Sequence, residues 1–457
     1  MSAGLKTFSA QVTAGAYVSD IFYILGCFGV VLGMVALTLL DAGIVNRKNV
    51  VDTIVQKWVC GAVGGLAYLV IGYGSWNWQI YQALGVPHPL RQALSDWSIF
   101  GPNLNTFAQH LDPAFVPGAD TAQIFAAFFV LFTMLICMLM HSAGVERLKP
   151  VPAVIMSALI GGIISPAVAY LTYGSASALT NSGLHDFVGD FAMYVFVGIW
   201  GLILAWRLGP RQKIASVSTN FPMMALGAFF LILAIPLFVP ACGFLVPGVG
   251  YYGIAVNDSG LGVLFMSIVL ALVAGGVSGA IVAYVKGNPI YIILGPIAGY
   301  ISCSAFLDIA LPWQAFAVGF FGPVVMALAD ALMRRIGIDD PKIVPLAFGP
   351  GLYSAIMAGI VGSGKMQGGF FDVTKGAYAY QHARITFGTQ LHGTVLMVVG
   401  IAVVAFVVIF LLEKTIGLRV TAKQEAQGLD ATYWSRFMTD DTSSVTETVL
   451  KPVSATG

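Results

Sequence analysis

The chain has 457 residues, of which 58% are hydrophobic and 9% charged, with a net charge of +1 and a mean hydropathy of +0.86. A soluble domain carries about 25% charged residues, so this composition excludes a soluble protein and requires a chain that crosses the membrane many times. The near-zero net charge gives no basic field for nucleic acid, and the 53 glycines and 21 prolines suit closely packed, locally broken membrane helices.

Windows of about 20 apolar residues predict eleven spans, at 21–44, 50–74, 121–143, 151–173, 187–207, 221–243, 260–285, 289–307, 313–333, 343–362 and 387–412. Residues 1–20 lack the basic start and cleavage site of a signal peptide, so they are expected to remain as an external segment. The membrane domain then covers 21–413, interrupted by an external loop at 75–120, and 414–457 form a cytoplasmic tail. Its end, D-D-T-S-S-V-T-E-T-V-L-K-P-V-S-A-T-G (440–457), reads as disordered.

Basic residues orient the chain. With the N-terminus outside, Arg47, Lys48, Arg147, Lys149, Arg207, Arg211, Lys213, Lys286, Arg334, Arg335, Lys342, Lys414, Arg419 and Lys423 lie near cytoplasmic span ends. Only Lys6, Arg91, Lys365, Lys375 and Arg384 fall outside, which supports N-out, C-in in the cell membrane. Lys57 falls inside the second span near its cytoplasmic end, from where a lysine can snorkel. Eleven spans divide into two halves of five plus one extra helix. Five is odd, so the halves would be inverted relative to each other, a plan common in transporters.

The fifth span carries both its boundaries in sequence. In H-D-F-V-G-D-F-A-M-Y-V-F-V-G-I-W-G-L-I-L-A-W-R-L-G-P-R (185–211), Asp186 or Asp190 can cap the start, and Arg207, Arg211 and Lys213 stop it at a basic surface. The tenth span holds the same place in the second half. Its Pro345, Gly349, Pro350 and Gly351 form a broken-helix pattern.

Metal, disulfide and enzyme chemistry have little support. Cys27, Cys60, Cys137, Cys242 and Cys303 all lie in apolar runs without a CxxC pair, and the histidines have no ligand spacing. No cofactor is called for, no metal site is indicated, and no nucleotide-binding GxxxxGK[ST] loop occurs.

Several segments, taken together and in order, resemble the ammonium transporter (Amt/Rh) family, on its Amt side. They are L-L-D-A-G-I-V-N-R-K-N-V (39–50), A-V-G-G-L-A-Y-L-V-I-G-Y-G (62–74), S-A-G-V-E-R-L-K (142–149), D-F-V-G (186–189), L-G-P-R (208–211), I-D-D-P (338–341) and G-L-R-V-T-A-K-Q-E-A-Q-G-L-D (417–430). The resemblance covers about 20–430. It implies a homotrimer in the lipid bilayer with one pore per subunit, an inverted repeat, passage of ammonium as NH4+ or as NH3 with a proton, and a cytoplasmic PII-type regulator. It further implies an outer aromatic site that recruits the cation and a narrow apolar pore lined by two histidines, one on the fifth and one on the tenth span.

Set against that pattern position by position, both histidines are replaced. The first falls on Tyr194. The second falls on Ala347, where the family's G-V-H-G becomes P-L-A-F (345–348). At the outer site the family's tryptophan falls on Tyr173 and its serine on Cys242, while Phe128, Phe132 and Phe238 persist. The family's F-N-A-G becomes F-V-P-A (238–241), and Asp186 matches an acidic residue at the head of the fifth span.

Each position has two readings. Asp186 is a helix cap or an ion ligand. Phe132 and Phe238 form a pore gate or pack as ordinary aromatics. Phe128, Tyr173 and Cys242 bind the arriving cation, or Tyr173 is an interfacial tyrosine. Tyr194 offers one donor and one acceptor and so replaces part of a histidine wire, or its ring plugs the pore opposite Ala347. On this reading Tyr194 is the only obvious polar group of the lumen. His141 and His392 do not match pore positions, and Asp308 and Asp330 fall near span ends where they are solvated or paired. The expected function is a channel-like transporter of ammonium or ammonia. The alternatives are a non-conducting sensor on the same scaffold and a pore for another small solute.

Overall fold

Backbone amides in lipid must be paired within their own segment, so helices form where the apolar windows fall. The computed structural model describes residues 6–212, 220–340, 342–371 and 373–437. Lys213 and the polar run 440–457 lie outside the described residues.

Ten helices among the described residues are long and apolar enough to cross a membrane: Ala14–Ile44, Arg47–Ala83, Ala119–Ser142, Pro150–Tyr173, Phe191–Leu208, Phe221–Phe238, Leu261–Lys286, Pro312–Ile336, Val344–Val361 and Phe387–Thr415. The shorter apolar helix Ile290–Ile301 holds the eighth place. It ends early because the chain leaves the helix at Ser302 and continues through buried turns to Asp308. The eleven predicted spans are therefore present, with shifted ends. The second runs on to Ala83, so the loop expected from 75 begins about two turns later.

Helix neighbours recur five spans on. The second span packs on the third and fourth, and the seventh packs on the eighth and ninth. The first packs on the third and the sixth on the eighth, while the first and sixth pack on each other. This is the contact pattern of an inverted repeat. The eleventh span lies outside it, against the fifth and tenth. Close approach needs small residues: a Cβ on Gly275 would stand 2.3 Å from the Gly295 carbonyl oxygen.

The face bearing the N-terminus is roofed by ordered loops. Gln11 is buried there, donating to the Leu111 and Val116 carbonyls at 3.0 and 2.9 Å and accepting from the Ala119 amide at 3.0 Å. Two small antiparallel sheets complete the roof, one of Phe244–Val246, Gly250–Tyr252 and Asp258–Ser259, the other of Met366–Gln367 and Ala383–Arg384.

On the opposite face the separate sequence motifs become one polar collar. Glu146 accepts from the Asn46 amide at 2.9 Å, Asn49 Nδ2 at 2.8 Å and Arg211 Nη1 at 2.9 Å. Arg211 clasps Asp339 through Nε and Nη2 at 2.9 and 2.8 Å, and Arg147 reaches the same carboxylate at 3.0 Å. From the tail, Asp430 accepts from the Asp52 amide at 2.7 Å and Glu425 from the Gln212 amide at 2.7 Å. The bidentate Arg211–Asp339 pair fixes the collar's geometry, and the Asp430 and Glu425 bonds to backbone amides dock the described part of the tail, 414–437, against it.

Candidate functional site

The fifth and tenth spans start with the same device. Asp186 accepts from the Asp190 and Phe191 amides at 2.6 and 3.1 Å, and Asp340 accepts from the Val344 amide at 2.9 Å. These carboxylates satisfy donors that a helix start leaves open. Of the two capping candidates in the sequence, Asp186 is the one used. Each span then opens with a wide π-helical turn, Phe191–Val195 in one and Val344–Phe348 in the other, before regular helix follows. Such turns are uncommon and recur at functional sites. Tyr194 lies on the first and Ala347 on the second.

The two caps stand at nearly the same distance from the lumen positions. Tyr194 is eight residues beyond Asp186, and Phe348 is eight beyond Asp340 (186 to 194, 340 to 348). Phe348 is thus the positional twin of Tyr194. It packs instead onto the fifth span, where a Cβ on Gly198 would stand 2.2 Å from Phe348 Cβ. Ala347 faces the lumen.

Tyr194 and Ala347 line one cavity of ≈ 60 Å³. A water molecule needs about 10–15 Å³ of such space, so molecules the size of water or ammonia fit. Leu37, Leu135, Met193, Ile235, Phe238 and Leu346 contribute to a hydrocarbon wall. The expectation that Tyr194 is the lone polar group needs correction, because Tyr300 and Lys342 also line the cavity. The Tyr194 hydroxyl donates to the Tyr300 hydroxyl at 3.3 Å, and the rings meet edge to face at 6.2 Å. A tyrosine or lysine near a span end carries no mark of lumen exposure in sequence, which is why both were missed.

Toward the N-terminal face the aromatics are in ring-to-ring contact. Phe238 meets Tyr300 at 6.4 Å, Phe132 meets Phe238 at 6.3 Å, and Phe128 meets Phe132 at 5.9 Å. Tyr173 joins them over Gly189, where a Cβ would lie 3.5 Å from Tyr173 Cε1 and 3.8 Å from Phe132 Cε1. Gly189 has φ +73°, a backbone conformation that favours glycine in the turn after Asp186. Cys242 sits one turn beyond Phe238 and donates through Sγ to its carbonyl at 3.6 Å. The residues singled out in sequence are therefore brought together.

They do not line the open vestibule. That cavity, ≈ 620 Å³, is bounded by Tyr23, Tyr73, Trp76, Trp97 and Phe125 among others. Trp76 touches Tyr173 at 5.2 Å and Phe125 stacks on Phe128 at 5.9 Å, so one aromatic layer separates the vestibule from the expected outer site. Trp76, in S-W-N-W (75–78), was not foreseen.

The remaining ionisable groups sort by depth. His185 pairs with Asp308 at 2.9 Å and Gln367 at 2.8 Å, all buried. Asp190 accepts from Ser304 at 2.7 Å, and Asp330 pairs with Arg334 at 2.9 Å. His141 is buried away from the cavity lining and His392 is exposed, so neither replaces the lost pair. Lys57 does not snorkel. It is 0% exposed, pairs with Asp41 at 2.5 Å, and donates to Ser142 Oγ and the Met138 carbonyl at 2.6 and 2.9 Å. A carboxylate at the same depth made the longer reach to water unnecessary.

Eleven apolar helices arranged as an inverted repeat around a narrow greasy cavity define a multi-pass membrane protein of the channel or transporter class. The sequence model of the Ammonium Transporter Family matches residues 21–438, and the chain belongs to that family. It is not an enzyme. It is similar to ammonium transporter Amt1 of Methanocaldococcus jannaschii, 26% identical over 90% of this chain and 94% of that one. Amt2 of the same organism is also 26% identical, over 92% and 91%. Among solved structures, one titled Sensor Amt Protein superposes with a TM-score of 0.71 at 18% identity, covering 92% of this chain and 98% of the other. Saccharomyces cerevisiae Mep2 superposes at 0.67 and 17% identity, covering 92% and 89%. At these identities the superpositions establish the fold.

Proposed function

We propose that this protein moves ammonium or ammonia across the cell membrane, through a pore in each subunit of a homotrimer, with the N-terminus outside and the tail in the cytoplasm. The observation that carries the reading is the shared cavity: Tyr194 and Ala347, on matching π-helical turns of the fifth and tenth spans, face one apolar space sized for a small solute. Aromatic faces in the vestibule attract a cation, each contributing about 0.5–2 kcal/mol. Phe128, Tyr173 and Cys242 take it up beneath Trp76, and Asp186 orders the head of the fifth span. Phe132 and Phe238, edge to face, are the gate through which the solute reaches the lumen. There the Tyr194 and Tyr300 hydroxyls supply a donor and an acceptor in place of imidazoles. A phenol has a pKa near 10, so this pair holds the solute by hydrogen bonds and does not hold a spare proton at neutral pH. The docked tail is the surface on which a PII-type regulator would act.

The test is ammonium and methylammonium flux in proteoliposomes. Flux above the protein-free leak that falls with Tyr173→Ala supports the proposal. Flux at leak level, unchanged by Tyr173→Ala, defeats it and leaves a sensor that binds without conducting.

A further inference from the structure

The vestibule is far larger than ammonium needs, at ≈ 620 Å³ against ≈ 60 Å³ for the lumen. Its wall is rich in aromatic rings, and among the described residues no Lys, Arg, Asp or Glu lines it. Tyr73 meets Trp97 edge to face at 5.4 Å in one part of the wall, and Tyr23 meets Phe125 at 5.3 Å in another. The hydroxyl hydrogens of this wall are engaged within the protein. Tyr23 donates to the Gly243 carbonyl at 2.8 Å and Tyr73 to the Ala122 carbonyl at 3.1 Å. Tyr81 and Thr121 donate to the Asp96 and Asp20 carboxylates behind the lining, at 2.7 and 2.6 Å. Ring faces backed by carboxylates favour a cation over an anion. Gln79 adds the one unmet demand of the lining. It stands three residues beyond Trp76 on the same helix face and is 3% exposed, and its Oε1 accepts no hydrogen bond. A buried acceptor left unpaired is costly, and a ligand N–H would relieve it.

We propose that the vestibule is a binding site for alkylated ammonium ions that keep an N–H, trimethylammonium being the case that fits best, and that such an ion blocks the pathway without crossing it. The methyl groups and the charge lie against the rings, and the single N–H meets Gln79 Oε1. A quaternary ion has the charge and the methyl groups but leaves Gln79 unpaired. A neutral molecule of the same shape lacks the attraction to the ring faces. The ring contacts from Trp76–Tyr173 inward to Phe132–Phe238 give so bulky an ion no way on. The blocking role rests on the transport reading above; the binding site does not.

The test is equilibrium binding of radiolabelled trimethylammonium to the full chain in detergent at pH 7, competed by unlabelled trimethylammonium, tetramethylammonium and tert-butanol. Binding should saturate, with competition strongest for trimethylammonium, weaker for tetramethylammonium and absent for tert-butanol. Gln79→Leu, which keeps the bulk and removes the acceptor, should weaken trimethylammonium about fivefold and leave tetramethylammonium unchanged, so that the preference disappears. The wild-type ranking is decisive by itself should that variant fold poorly. No saturable binding, or competition by tert-butanol equal to that of the cations, overturns the site. Equal competition by the two cations in the wild type overturns the role of Gln79. In proteoliposomes, trimethylammonium added on the vestibule side should slow ammonium flux while remaining outside. Binding with ammonium flux unchanged, or entry of the labelled ion, overturns the block. Binding as described without ammonium flux under any condition defeats the transport reading and leaves the site standing.

Discussion

The two halves of the pathway bury charge of opposite sign and satisfy it by different routes. In the half toward the N-terminal face, Asp186 is held by backbone amides of its own span, Asp190 by the Ser304 hydroxyl and Asp308 by the adjacent His185. In the half toward the tail, Lys57 and Lys342, from the second span and the head of the tenth, converge on Asp41 of the first. The difference follows from which groups a helix start exposes. A carboxylate there finds free N–H donors within one turn. An ammonium group needs acceptors, and a helix start has none to spare, so its partner must come from another span. The head of the fifth span is ordered locally through Asp186, whereas Asp190 and Asp308, like the two lysines, take their partners from distant segments.

Breaking that assembly should have the largest effect. Asp41→Asn leaves two buried ammonium groups without a counter-charge and should cost about 3–5 kcal/mol. Thermal unfolding in detergent should show a Tm far below that of Lys342→Met, which keeps one pair. Equal Tm values would mean that the lysines do not depend on Asp41. In the aromatic half, Phe132→Ala should lose about 3 kcal/mol of packing, and because it removes one ring of the edge-to-face pair with Phe238, it should raise methylammonium flux relative to ammonium. Lost stability with an unchanged flux ratio would make these rings packing and no gate.

The collar beside the lysines gives a pH-dependent contrast between neighbours. Burial pushes the Asp340 carboxyl up to about 6. Its folded state therefore favours the proton, and this contribution grows as pH falls from about 7 toward about 4 and is lost as pH rises through about 6. The displacement of about two units corresponds to about 3 kcal/mol. Asp339 behaves oppositely. Burial raises its carboxyl, but hydrogen bonds and charge from Arg211, with Arg147, outweigh burial and hold it below the usual range. Its contribution stands at neutral pH and is lost as pH falls below about 4. Tm measured from pH 7 to 4.5 should rise more steeply in the wild type than in Asp340→Asn. Parallel curves would remove Asp340 as the source. The smallest effect belongs to the lumen: Tyr194→Phe keeps the ring, deletes one hydroxyl and should cost about 1 kcal/mol of solute binding, a several-fold drop in flux. Unchanged flux would show that the hydroxyl pair does not meet the solute.

Much of this architecture is legible from residues alone. The apolar windows place all eleven spans, because a lipid-buried backbone has no alternative to helix over a bilayer's thickness. D-F-V-G (186–189) announces both the cap and the turn that Gly189 permits, since both depend on neighbours in sequence. Lys57 was misread because snorkelling is the generic outcome for a lysine near a span end, and nothing in V-Q-K-W-V (55–59) says that Asp41 lies within reach. Tyr300 was passed over because a tyrosine in an apolar run looks the same whether it faces lipid, a neighbour or the lumen. Trp76 was missed because the vestibule is assembled from loops and spans distant in the chain.

The order of amino acids by itself determined the number of spans, the capped start of the fifth and the loss of imidazole from both family positions. All of these are properties of one segment and its solvent. The packed bundle alone decided that Tyr194 shares its lumen with Tyr300 and Lys342, and that one aspartate serves two lysines. Which side of a hydrophobic helix meets a neighbour is set by the helices around it, and a buried charge takes its partner from whatever span comes within about 3 Å.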